Sequence, residues 1–257
     1  MTRGSDRTGL HHKIDELSDG QADVVADFVD AVLAPLHSEP LPATWLTVPA
    51  WSDAFLARLR GHHGLSREPL STTQFEAAFN ESCRAAGWRV EPADSPTQRF
   101  YDTTVRVADA APRRLSLKAS SAKDMSVRTV HISKLTEAAW IQDARKKVER
   151  RDHIVTLFQD YRRITSAIVM LRGFRDRDGY STLYELIEIP TDLFVTVDDL
   201  TVDQAQLGTI RIPNSGKPDF AIRIDRSDSK ITLTSIHLDK CVIHGRWGVG
   251  TSDTPAQ

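Results

Sequence analysis

The clearest hydrophobic pattern lies in the middle of the chain. Residues 102–107 and 114–118 alternate apolar and polar side chains, the period-2 signature of strands, with Ala-Asp-Ala-Ala-Pro turning between them. Trp88-Arg-Val-Glu precedes them as an edge strand, and Val127–Ile132 alternates again as a third strand. Leu135, Ala138, Ala139, Ile141 and Val148 then recur near helical spacing, which predicts a helix over 135–150 with Ser133 as its cap and Arg145, Lys146, Lys147 and Arg150 turned outward. Further on, 165–171 and 183–189 form an apolar hairpin around Arg-Asp-Arg-Asp-Gly. Pro190-Thr-Asp opens a short helix, and 220–224 with 231–236 makes a second hairpin.

The N-terminal third reads as helical. Val24, Val25, Phe28, Val29, Val32 and Leu33 predict an amphipathic helix from Asp19 to about Pro35, and Phe55, Leu56 and Leu59 mark a short one after a proline-rich loop. Ser71-Thr-Thr-Gln74 is a capping box that starts a helix ending near Gly87, with Phe75, Ala78, Phe79, Ser82 and Ala86 inward. Glu76 and Asn80 fall on its flank, beside that stripe. The adjacent pairs His11-His12 and His62-His63 point to different sides of any helix and read as solvated.

Composition narrows the classes. At 257 residues and 40% hydrophobic content the chain can bury a core, and one α/β domain over 1–257 is the economical reading, with a mainly helical part over 1–69. Two cysteines make no disulfide framework, no apolar run reaches membrane-spanning length and the first residues lack a signal-peptide core, so a cytoplasmic protein is expected. The net charge of −2 is uninformative, but residues 113–151 hold 11 Lys/Arg against 4 Asp/Glu. Cys241-x-x-His244 has no matching half, so no closed zinc site is expected. Glycine-rich phosphate loops and nucleophile elbows are absent from the sequence, which disfavours a cofactor enzyme of small-molecule metabolism.

Asp102 opening one strand and Lys118 on the next have the spacing of PD-(D/E)-x-K nucleases. Tyr101 stands where that superfamily often has Pro, and Ser116 where it usually has the second acid. Phosphodiester hydrolysis needs an activated water, neutralised phosphate charge and a stabilised leaving oxygen, which Mg²⁺ supplies with only one or two carboxylate ligands. Asp102 is the first expected ligand, and Lys118 the group that orients the water and offsets phosphate charge. Neutral Ser116 is a weak ligand at best. Glu76 is therefore the expected second carboxylate, within one shared metal or water of Asp102 and on the same side of the sheet as Lys118.

Phe75-Glu-Ala-Ala-Phe-Asn80, Leu117-Lys-Ala-Ser-Ser-Ala-Lys123, His131-Ile-Ser-Lys134, Tyr184-Glu-Leu-Ile-Glu-Ile-Pro190 and His237-Leu-Asp-Lys-Cys-Val-Ile-His-Gly-Arg-Trp247 resemble, in order, stretches of the SmaI-type restriction endonucleases. That resemblance implies a mixed central β-sheet flanked by helices, restriction-endonuclease-like, with catalytic core and DNA-binding region over 70–250. It also implies a Mg²⁺-dependent homodimer cutting double-stranded DNA at a short palindrome, GC-rich in the manner of CCCGGG, with a cognate DNA methyltransferase as companion. Lys123, His131, Ser133 and Lys134 are the candidate DNA contacts. The alternative, suggested by Ser116, is a catalytically inactive sequence-specific DNA-binding protein of the same fold.

Overall fold

The computed structural model describes residues 41–95, 100–213 and 216–249, together with 17, 18, 21, 25 and 29. The expected Asp19–Pro35 helix falls outside the described residues except at Gln21, Val25 and Val29, which are helical; the pair His11-His12 also lies outside them. Two helices follow, α1 (Pro49–His63) and α2 (Thr72–Ala85), the second opened by the expected capping box: Ser71 Oγ accepts from Gln74 N–H, and Gln74 Oε1 accepts from Ser71 N–H.

Among the described residues, ten strands form two sheets. The first has β1 (Arg89–Pro92), β2 (Thr103–Arg106), β3 (Arg113–Ser120), β5 (Ala167–Arg175), β6 (Ser181–Pro190) and β10 (Val242–Gly248), in the order β1-β2-β3-β5-β6-β10. It is mixed, because β3 runs parallel to β5 while the other neighbours are antiparallel. The second sheet is antiparallel, in the order β4-β9-β8-β7, from β4 (Thr129–Glu137), β7 (Thr209–Ile212), β8 (Phe220–Asp225) and β9 (Lys230–His237).

Strand alternation sorts β3 between two cores. Leu115 and Leu117 join Phe55 of α1 and Phe75 and Phe79 of α2 on one face of the first sheet. Each of these fully buried phenylalanines contributes roughly 1.5–3 kcal/mol relative to exposure. The opposite face, with Ile168, Met170 and Ile187, packs on Phe158 and Tyr161 of α3 (Lys147–Ile164), on Phe194 of the 3-10 segment Thr191–Asp199, and on the inner face of the second sheet. Ser116 and Lys118 belong to this second side.

The expected helix over 135–150 is not present. Strand β4 continues to Glu137, because irregularities in its pairing with β9 leave both Ser133 and Lys134 exposed and turn Leu135 back inward. Leu135, Ala138 and Ile141 imitate a helical stripe, yet only Ile141 is helical, in the single turn Trp140–Asp143. Ser133 is thus a mid-strand residue and caps nothing. The long helix starts at Lys147, with Ile154, Val155, Leu157, Phe158 and Tyr161 buried. The C-terminal tail is a central-sheet strand: β10 pairs with β6 through a bulge at His244, and at the next residue, Gly245, a Cβ would lie 2.1 Å from the Trp247 ring.

Candidate active site

Asp102 sits just before β2, delivered there by a sharp turn. Phe100 adopts φ 80°, an uncommon conformation for a bulky residue. Its carbonyl accepts from Thr165 Oγ1 at 2.8 Å and its ring packs edge-on to Tyr161. The Asp102 N–H then donates to Leu115 O, extending the ladder with β3. The carboxylate turns onto that strand: Oδ2 accepts from Leu117 N–H at 2.7 Å and from the Ser116 hydroxyl at 3.3 Å, and lies 3.6 Å from Lys118 Nζ. Asp102 keeps 35% of its side chain exposed and Lys118 24%, so both reach solvent from a fixed frame.

Helix α2 lies on the opposite face of β3 from Lys118, since its phenylalanines pack on Leu115 and Leu117. The expectation that Glu76 shares Lys118's side of the sheet therefore fails for the helix as a body. Being on the flank, however, the half-buried Glu76 carboxyl is close enough for both groups to act on it. Partial burial first, and the Asp102 carboxylate second, hold it above its ordinary value, while the Lys118 ammonium pulls the other way. Glu81 faces elsewhere and pairs with Arg58 at 2.9 Å; Asp94 accepts from the Tyr101 hydroxyl at 2.8 Å.

Ser116 is buried, and its hydroxyl serves Asp102. Beyond it stands Tyr161, a fully buried residue of α3 that the sequence reading missed, since no helix had been assigned there. Burial first, and the Asp102 charge, push its phenol up, with Ser116 opposing, although the two hydroxyls do not meet in hydrogen-bonding geometry. Lys118 opens into a cleft of about 300 Å³ shared with Thr72, Ser120, His131, Ser133 and Lys134. Three expected DNA contacts are thus brought to Lys118, with Lys134 also paired to Glu137. Lys123 is exposed on the loop after β3 and does not line the cleft.

The donor set suits a hard divalent cation. Asp102 Oδ1 has no hydrogen-bond partner among the described residues, and a bound cation would offset the charge that Asp102 makes unfavourable on Glu76. Mg²⁺ needs no more than one or two carboxylates. Among the described residues no three His, Cys, Asp or Glu converge, so a cation here would rest on one or two carboxylates and water. In the tail motif, His244 is committed to Thr44 and Glu188, while the Cys241 thiol bonds His237 O.

Residues 13–249 match the SmaI family, type II site-specific deoxyribonuclease. The chain belongs to that family. It is a type II site-specific deoxyribonuclease, built on a mixed sheet with helices on its flanks. It is also similar to the type II restriction enzyme SmaI of Serratia marcescens, at 28% identity over 212 residues, covering 76% of this chain and 78% of that one. No solved structure matches it. The five stretches of resemblance all lie within the matched span.

Proposed function

We propose that this SmaI-family chain hydrolyses both strands of duplex DNA at a short GC-rich palindrome, with Mg²⁺ held by Asp102 and Glu76 and with Lys118 beside the attacking water. The observation that carries this reading is the Asp102–Lys118 pair, 3.6 Å apart, with Lys118 lining the cleft and Glu76 close enough to feel both charges. Mg²⁺, when bound, supplies Lewis acidity toward the phosphate and lowers the cost of deprotonating water. The chain's own part is positional. Ser116 and Leu117 N–H fix one Asp102 oxygen and leave the other outward. Lys118 offers a cation to the charge that builds on the phosphate as the water–phosphorus bond forms and the bond to the 3′ oxygen breaks. Ser116 at the acid slot does not leave the site short of charge on this account, because Glu76 supplies the second carboxylate from the helix.

A palindrome presents two identical half-sites, so the functional unit on DNA is a two-fold dimer that cuts both strands in one encounter. The chain acts in the cytoplasm beside a methyltransferase of the same specificity; among the described residues no helix is long and apolar enough to cross a membrane. Incubation of the purified protein with plasmid and Mg²⁺ tests the reading: discrete fragments, abolished by chelation, support it. Sequence-specific binding without any nicking would instead identify the catalytically inactive DNA-binding alternative that Ser116 suggests.

A further inference from the structure

The second sheet has a face that the cleavage chemistry leaves unused. Ile210, Ile222, Ile231 and Leu233 point from its strands into the core. Alternation therefore turns Arg211 on β7, Arg223 on β8, Thr232 and Thr234 on β9, and His131 and Ser133 on β4 to the other side. These residues form one surface. Arg223 pairs with Thr232 across β8 and β9, and the Thr232 hydroxyl donates to Ser133 O at 2.9 Å. His131 lies near enough to Arg223 for that charge, after burial, to lower its proton affinity.

The surface is continuous with the cleft, because His131, Ser133 and Lys134 line the same space as Lys118. It is also one-signed. The only carboxylates on these four strands, Glu137 and Asp225, sit at one end, already paired with Lys134 and Lys230. Neither Arg211 nor Arg223 has a salt bridge among the described residues. Exposed cations with hydroxyls between them, beginning in the cleft beside Lys118, complement a polyanion that also offers acceptors between its phosphates.

Resting on the nuclease reading, we propose that this face lies against the duplex, with Arg223 reading base edges in the major groove and Arg211 gripping the backbone beyond. Strand spacing sets the reach: β8 stands ~10 Å and β7 ~14 Å from β4, against a major groove ~12 Å wide. A contact starting on phosphate at β4 thus crosses base edges at β8 and returns to phosphate at β7. Arginine most commonly reads the O6 and N7 of guanine.

The test uses the full chain in Ca²⁺ and two duplexes, one carrying the sequence recovered from the ends of fragments the wild type cuts, the other scrambled. Arg223→Ala should weaken binding to the first by about 5- to 150-fold and leave the second unchanged. Arg211→Ala should weaken both by the same factor and reduce the salt slope by about 1. Both arginines are exposed, and circular dichroism with thermal melting confirms folding. Wild-type affinity and slope in both variants, or the two patterns interchanged, overturn the proposal. A wild type that neither cuts nor prefers either duplex overturns the nuclease reading and this surface together.

Discussion

The two sheets treat the same residue types in opposite ways. In the first sheet both faces are covered, and several of its charged residues are spent inside. Arg172, fully buried, bonds Glu185 and the carbonyls of Ser126 and Thr129, while Arg246 Nε donates to the other Glu185 oxygen at 2.9 Å. Glu188 accepts from Trp45 Nε1 at 2.7 Å and His244 Nε2 at 3.1 Å, with Arg113 at 3.7 Å. Burial would raise that carboxyl, but the His244 and Trp45 hydrogen bonds and the nearby positive charges outweigh it and hold Glu188 below its ordinary value. On the second sheet only one face is covered, and Arg211 and Arg223 stand on the open one. An arginine between strands with partners on every side is architecture; an arginine among hydroxyls, with no salt bridge among the described residues, is free to meet a ligand.

The largest expected effects fall where the two sheets meet. Asp102→Ala and Lys118→Ala should each lower the cleavage rate on the order of 10³-fold, as loss of a preorganised charge at a reacting phosphate does. Binding in Ca²⁺ should survive Lys118→Ala, and plasmid turnover at the wild-type rate in either variant would move the site elsewhere. Glu76→Gln should bind DNA and cut roughly 10²-fold more slowly, with more Mg²⁺ needed for half-maximal rate; normal cutting would release Glu76 from the metal site.

Stability should separate the sheets next. Removing one member of a buried ion pair leaves the other uncompensated, so Glu185→Ala should lose about 3–5 kcal/mol in urea unfolding. Arg223→Ala and Arg211→Ala, on the open face, should stay within about 0.5 kcal/mol of the wild type. Equal losses in both groups would erase the distinction.

Many of the individual elements were readable in the sequence, though their division into two sheets was not, and the misses have physical reasons. The capping box at Ser71, the paired strands carrying Asp102 and Lys118, and both long hairpins appear where local pattern predicts them, because local chemistry fixes each. The segment 135–150 went wrong because a bulge shifts the phase of a strand, and a phase-shifted period of two imitates a period of 3.6. Strand β10 was hidden by its bulge at His244, and β7 by being only four residues long. Glu76 was legible as a carboxylate on the edge of an apolar stripe. Tyr161 was not, since its place beside Ser116 depends on how α3 packs. The basic run over 113–151 was visible as a count, but a count does not tell which arginine is enclosed: Arg172, Arg211 and Arg223 all lie outside it.

The most narrowly confined of the predicted effects, limited to one pH window, concerns His63, read from the sequence as solvated and found bridging the N-terminal helices to the first sheet. Its Nδ1 lies 2.9 Å from Ser66 O and so carries the proton, which leaves Nε2 to accept from the Tyr184 hydroxyl at 3.0 Å. Tyr184 Oη in turn accepts from Leu70 N–H, tying down the segment that leads into α2. Protonated, the ring would have no acceptor for Tyr184. Burial first, then the charge of His62, lower the His63 pKa from 6.5 to about 4 against the opposing bond to Ser66. Above pH 6.5 folded and unfolded chains both hold a neutral ring. As pH falls from 6.5 through 4, the unfolded chain takes up a proton that the folded one resists, so this contribution to stability is lost in that window. His63→Gln should remove the wild-type excess slope between pH 6.5 and 4 in urea unfolding, the carboxylates being common to both proteins. The protection factor of the Leu70 amide should fall at pH 4.5 relative to pH 7 in the wild type, while amides of β8 and β9 hold theirs. Parallel loss of protection in both sheets would mean that His63 does not act locally, and that the covered face is no more dependent on its buried polar bonds than the open one.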